Sequence, residues 1–329
     1  FAGMALFVVG AIASASAGSI EVMLGCRLIQ GIGAAPAIVL SRAIVRDVSS
    51  GKEAAKLMSL MTMIFTAAPV IAPTIGALLI IQWGWRAPFL LIIGLAVVIL
   101  ILVRLNLTET HQPGENQHPV RQLRDSFVEF FSHRQSIFGL LLIVIPPAGF
   151  LSIIAVAAAL VVEIYGFSVT QFGLLFATLG ISILVGAAVN RLLVTRFDGM
   201  HVIAFGIALY GVSGSTLLLF AWMDSAPFVL LWAAIALFMF TVAIVMPNAT
   251  VLALDPLPRI AGVASSIIGT LQNIFGAAGA LLGAVIYNGT VRNSVLIIGV
   301  AGMISVLIFL ARPLICPTIV HHPDELARD

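Results

Sequence analysis

Charge is what this sequence has least of. Only 9% of its 329 residues are Asp, Glu, Lys or Arg, against about 25% in a soluble globular domain. Such a chain has too few polar groups to cover a folded surface, which excludes water as its main solvent. Cysteine is also scarce. Cys26 lies in an apolar run and Cys316 in the tail, so there is neither a disulfide framework nor a zinc spacing. Carboxylates are missing from the middle of every apolar run; Glu21, Glu163 and Asp224 stand at run ends. The histidines gather in a central polar stretch and in the tail, including His321-His322. No Ser–His–Asp grouping and no metal cluster emerge. No catalytic residue, metal or cofactor is therefore assigned, no enzyme is expected, and no nucleic-acid partner is included.

What the sequence does have is apolar length. Hydrophobic residues make up 61% of the chain. About 20 of them in a row cross a bilayer as a helix. Ten such runs can be marked: Phe1–Ser19, Val22–Arg42, Leu57–Gln82, Trp85–Val103, Ile137–Val162, Gln171–Asn190, Met200–Trp222, Pro227–Leu254, Ile260–Tyr287 and Ser294–Leu310. Helices are required because lipid offers the backbone no hydrogen bonds. The first run is not a signal peptide: no basic region precedes it and nine more runs follow. The chain begins inside an apolar segment, from which a longer parent protein is expected.

Basic residues favour cytoplasmic loops. If the runs alternate, thirteen of the sixteen Lys and Arg fall on one side. Arg86 and Arg292 fall on the other, and Arg27 lies within a run. This places both chain ends in the cytoplasm. Trp83, Trp85, Tyr165, Trp222 and Tyr287 then mark the outer headgroup level. The organisation reads as four spans in 1–105, a cytoplasmic linker at 106–135, six spans in 136–312 and a cytoplasmic tail at 313–329. The linker's second half, "VRQLRDSFVEFF", reads as an amphipathic surface helix. Four spans plus six fit a duplicated six-plus-six architecture with two spans absent from the front. A shift of 207 residues pairs small or bend-forming residues of the third and ninth spans, Pro69 with Gly276 and Gly76 with Gly283 among them.

Arg27 is the costly residue. At 3.6 residues per turn it shares a face with Gln30, Gly31, Ala34 and Ile38, whereas Leu28, Ile29, Ile32, Val39 and Leu40 lie opposite. Arg27 is expected to point into the bundle or a cavity, about 8 Å below the outer end. Snorkelling to the headgroups is the alternative. "GIGAAP" is not a dinucleotide fingerprint, since no strand precedes it and no acidic ribose ligand follows; its small residues read as close helix packing. In "AAPVIAPTIGALL", Pro69 and Pro73 each remove a backbone donor, and Gly76 keeps the helix thin. Pro146-Pro147-Ala148-Gly149-Phe150 reads as a break lining a cavity, with Phe150 as candidate wall. Along the ninth span, Gly269, Gly276, Gly279 and Gly283 form a packing stripe. Gln272 and Asn273 beside it face either a polar pathway or a neighbouring helix.

These stretches resemble the major facilitator superfamily, and within it the drug:proton antiporters with twelve spans. "RLIQGIGAA" is similar to that group's fourth-span motif, and "APVIAPTIGA" to its fifth-span antiporter motif, with alanine at several glycine positions. "SRAIVRDVSSGKEAAKLMSL", "EIYGFSVTQFGLLFA" and "MPNATVLALDPLPRIAGVASSIIGTLQ" resemble the bicyclomycin-resistance (Bcr/CflA) subfamily, loops included. The resemblance implies an all-α membrane protein of the major facilitator fold, with about ten of twelve transmembrane helices present. It implies a proton-coupling role for Arg27 with Gln30 and Gly31, and places Pro69, Pro73 and Gly76 at a bend and at the interface between halves. It further implies efflux of a small amphipathic drug-like substrate against protons, by alternating access in the lipid bilayer of the bacterial inner membrane, by a monomer. The acidic partner of Arg27 would lie in the absent first span. Rival readings are a carrier for one nutrient or metabolite, an inactive truncated piece, and a membrane-embedded enzyme or scaffold.

Overall fold

With no water in a bilayer core, each backbone N–H and C=O must be satisfied within its own segment, and among the described residues every long apolar run is helical. The computed structural model describes residues 2–48, 75–106 and 119–316, together with positions 53, 57, 60, 61, 64 and 72. They form two compact units, Phe1–Glu115 and Asn116–Asp329.

The first unit holds α1 (Ala2–Ala15), α2 (Ile20–Val48), a helical stretch at 75–83 and α3 (Ala87–Asn106). The second holds α4 (Pro119–Ser132), α5 (Arg134–Ala159), α6 (Val169–Leu193), α7 (Gly199–Met223), α8 (Phe228–Leu254), α9 (Ala261–Ile286), α10 (Val291–Leu310) and the short α11 (Arg312–Ile315). Among the described residues, seven helices are long and apolar enough to cross a membrane: α3 and the six from α5 to α10. The first expected span is the 14-residue α1, and the second lies within the 29-residue α2. Most of the third, with Pro69 and Pro73, lies outside the described residues. The count of ten therefore stands as an expectation, whereas the all-helical class is observed.

Packing in the second unit runs through small residues. A Cβ added at Gly276 would lie 2.6 Å from Leu151 Cδ1, and one at Gly283 2.8 Å from the Ser152 carbonyl oxygen, so α9 lies directly on α5. Gly214 and Gly302 bring α7 and α10 together in the same way. Around these contacts Phe138, Leu142, Ile143, Tyr210, Ile235 and Phe238 form a fully enclosed core.

Loop chemistry sets the ends. Ser168 and Gln171 form a reciprocal capping box at the start of α6, with Ser168 N donating to Gln171 Oε1 at 2.8 Å. Asp224, in the left-handed region at φ 48°, ends α7, and its carboxylate accepts from Arg292 N at 2.9 Å in the first turn of α10.

Two expectations meet the structure here. The amphipathic stretch is indeed a helix, α4, seated on the second unit through Phe130, which is fully buried. The break at Pro146-Pro147 is corrected: α5 runs unbroken through both prolines. Two adjacent prolines remove two i→i−4 bonds, but Pro146 and Pro147 are buried between packed helices, and tertiary packing keeps the segment helical.

Candidate functional site

The polar feature of the first unit is built where α1, α2 and α3 meet at the ends of short connections. Gln30 is only 4% exposed. It reaches that depth because Gly10 of α1 lies opposite: a Cβ there would stand 2.6 Å from Gln30 N and 2.9 Å from its Cα. Ser14 Oγ donates to the Gly10 carbonyl at 2.8 Å and fixes that turn. One helical turn along α2, Gly33 lets Phe7 and Gly3 of α1 approach in the same way. The small residues of "GIGAA" thus do serve close packing, through Gly33.

Arg27 sits one turn before Gln30. Its Nη1 donates to Gln30 Oε1 at 2.9 Å, and its guanidinium carbon lies 5.2 Å from the centre of the Phe89 ring on α3. The face expected to carry Arg27, Gln30 and Gly31 into the bundle or a cavity is unevenly covered. Gln30 is buried, but Arg27 and Gly31 are exposed in the structure. Burial follows the α1 contact, which runs along Gln30 and Gly33. On the opposite apolar face Leu28 is 69% and Ile32 57% exposed.

Phe89 is held in turn. Trp85 meets it edge-on, with centroids 6.2 Å apart and planes at 89°. The Arg86 guanidinium lies 4.2 Å from the Trp85 ring centre, and Arg86 Nε donates to the Ala15 carbonyl at 3.0 Å. The start of α3 is thereby tied to the end of α1. Sequence reasoning placed Trp85 and Arg86 at a membrane boundary but missed Phe89 and Gly10. An aromatic residue one turn below a Trp-Gly-Trp-Arg boundary was the available signal for Phe89. Gly76 is half-buried, with no atom of the described residues within 4 Å of where its Cβ would be. A groove of about 510 Å³ lies at the other end of α3, lined by Ala2, Ala5, Leu100, Ile101, Arg104 and Leu105, and contains none of the candidate residues.

In the second unit Phe150 is half-buried against the core, not on a broken segment. Gln272 is half-buried on α9 and Asn273 exposed, its Nδ2 donating to the Gly269 carbonyl of its own helix at 2.8 Å. Ser265 and Ser266 bond back likewise to Ala261 and Gly262. The stripe on α9 therefore has two parts. Gly276, Gly279 and Gly283 pack on α5, whereas Ser266 and Asn273 are exposed beside half-buried Gly269, and each of the two bonds back to a carbonyl of its own helix. Between α6 and α8, Asn248 Nδ2 donates to Asn190 Oδ1 at 2.7 Å, and Trp232 Nε1 to Thr178 Oγ1 at 3.0 Å. Among the described residues no group of His, Cys, Asp and Glu could hold a metal ion.

The sequence profile of the Major Facilitator Superfamily matches residues 1–277 and 140–321. The chain belongs to this superfamily. A bicyclomycin resistance protein homolog of Haemophilus influenzae is 28% identical over 285 residues, covering 86% of this chain and 71% of that protein. The multidrug resistance protein MdtL of Shewanella oneidensis is 26% identical over 324 residues, covering 97% and 80%. In fold, the chain is similar to a bacterial homolog of the human lysosomal transporter Spinster in an inward-facing, occupied conformation, with TM-score 0.73, 14% identity, and coverage of 98% of this chain and 84% of that one. It is also similar to a D-xylose-proton symporter, with TM-score 0.71, 18% identity and coverage of 94% and 78%. The superfamily and these solved relatives are transporters, so this is a multi-pass membrane transporter chain and not an enzyme.

Proposed function

We propose that this chain belongs to a proton-coupled exporter of small amphipathic drug-like molecules in the bacterial inner membrane, working by alternating access. The observation that carries the reading is the Arg27–Gln30 pair in α2. A guanidinium is hydrogen-bonded at 2.9 Å to the side-chain amide of an almost fully buried residue, in a segment otherwise made for lipid. Arginine stays charged at all physiological pH values and so does not carry the proton itself. Its effect is on a carboxylate: placed within a few ångströms, Arg27 lowers that group's pKa and favours proton release. The guanidinium has five N–H donors, and Gln30 takes one.

The drug-resistance names of the relatives support this substrate class over a single nutrient. The exposed face of α9 supports it too. Ser266 and Asn273, with half-buried Gly269 and Gln272, offer a wall that tolerates water without offering a strong, specific ligand set. Phe150 adds an aromatic surface in the same unit. Pro69 and Pro73 supply the bend and Gly76 the thin helix at the interface between halves in this reading. Both chain ends are assigned to the cytoplasm from the distribution of Lys and Arg, and the protein acts as a monomer.

The test is ethidium transport in inside-out membrane vesicles under an imposed proton gradient. Gradient-driven uptake, abolished by a protonophore and by Arg27→Ala at equal expression, is the expected result. Uptake unaffected by Arg27→Ala removes Arg27 from coupling. Transport of a single tight substrate, with ethidium and other amphipathic cations excluded, favours the nutrient carrier instead.

A further inference from the structure

We propose that Phe89 is a positioning residue for Arg27, through its aromatic face. This rests on the reading of Arg27 as the coupling cation and adds a residue from another helix. The guanidinium carbon is 5.2 Å from the Phe89 ring centre, within the roughly 6 Å over which a ring quadrupole attracts a cation. The ring and Gln30 together hold Arg27 at two points. Gln30 takes a donor at one edge of the guanidinium, and Phe89 takes its charge. Gln30 takes one of the five guanidinium donors and the ring face takes none of the rest in conventional hydrogen bonds, so donors remain for a carboxylate.

Phe89 is suited to this because it is itself constrained. It sits in the first turn of α3, with the Trp85 edge against it at 6.2 Å. The Arg86 clamp to the Ala15 carbonyl at 3.0 Å anchors that turn to α1, whose Gly10 in turn seats Gln30. The series Arg86, Trp85, Phe89 and Arg27 is therefore a pair of rings with a cation at each end, leading from the start of α3 to α2. Leucine at position 89 would fill a similar space without a quadrupole. Tryptophan and tyrosine would keep the quadrupole.

The experiment places Leu, Tyr and Trp at position 89 and reads two quantities. The first is gradient-driven ethidium uptake by inside-out vesicles as a function of pH. The second is a thermal-unfolding double-mutant cycle between Phe89→Leu and Arg27→Gln, which needs no transport. Phe89→Leu is expected to lower uptake about threefold to fivefold, the size of a partly exposed cation–π contact. It is also expected to move the acidic limb of the pH profile upwards, because a loosely held Arg27 lowers its partner's pKa less. Phe89→Trp and Phe89→Tyr are expected to keep both rate and profile, and the cycle to be non-additive. Wild-type behaviour of Phe89→Leu with an additive cycle overturns the proposal. Equal loss in the Leu, Tyr and Trp variants also overturns it, since shape alone would then matter. A non-additive cycle beside full uptake by Arg27→Ala separates the two claims: Phe89 then holds Arg27, but Arg27 does not couple protons.

Discussion

Replacing Gly10 by alanine adds one methyl group to the protein and should still disturb the Arg27 site. The added Cβ would stand 2.6 Å from Gln30 N, 2.9 Å from Gln30 Cα and 3.0 Å from Gln30 Cβ, where ordinary contact begins at 3.4 Å. None of these atoms can swing aside by a rotamer change, because two are backbone and the third is fixed to it. Relief requires α1 and α2 to separate, which loosens the contact that buries Gln30 to 4% exposure. Overpacking of this kind costs about 1–3 kcal/mol. The better helix propensity of alanine returns about 0.5–1 kcal/mol. The expected net loss is on the order of 1 kcal/mol, together with reduced gradient-driven uptake, because Gln30 carries Arg27. Gly25→Ala is the matched control: the same helix-interior change in α2, with no atom of the described residues within 4 Å of the new Cβ. Thermal unfolding in detergent should place Gly10→Ala below wild type and Gly25→Ala at or above it. If Gly10→Ala melts with or above Gly25→Ala and transports at the wild-type rate, the close approach of α1 to Gln30 is not what builds the site.

Other consequences can be checked separately. Tyr210 is fully buried and its hydroxyl has no hydrogen-bond partner among the described residues, so Tyr210→Phe should stabilise the protein by about 1–3 kcal/mol, read as a higher melting temperature. Asn248→Leu removes the 2.7 Å bond to Asn190 between α6 and α8 and should lower stability by about 0.6–1.7 kcal/mol in a thermal scan. Cys316 is 1% exposed, and burial pushes its thiol pKa up against the opposing pull of Arg312 and Arg134. Maleimide labelling at neutral pH should therefore be slow in the folded protein, quicken as the pH rises, and become rapid on unfolding in dodecyl sulfate.

The helices were legible because membrane burial writes them as uninterrupted apolar runs. The ninth expected span, Ile260–Tyr287, is α9 at Ala261–Ile286, and the eighth, Pro227–Leu254, is α8 at Phe228–Leu254. Periodicity served less well for which side of a helix is covered. In α2 most side chains are apolar or small, so the pattern set Leu28 and Ile32 opposite Arg27 but did not separate Arg27 from Gln30. That separation comes from Gly10, which lies on another helix and carries no side chain to mark its role. The double proline misled for a related reason. Its local preference is to break a helix, and it loses to packing that lies outside any sequence window.

Phe89 shows the same limit from the other direction. Of the chain's twenty phenylalanines, only its place one turn below the Trp-Gly-Trp-Arg boundary marks Phe89 in the sequence, and that does not say what its ring meets. What singles it out is that Trp85 and Arg86 pin the start of α3 to α1, and that Gly10 and Gln30 fix α2 against the same helix. Two independent ties to α1 bring α2 and α3 into a fixed relation, and Arg27 and Phe89 are the side chains that meet across it. The polar signal in the sequence was therefore one residue of an arrangement that three helices hold. The charge is on α2, its amide partner is seated by α1, and its ring is supplied by α3. A change on any of the three should reach Arg27, and the Gly10 and Phe89 substitutions test two of those routes without altering α2.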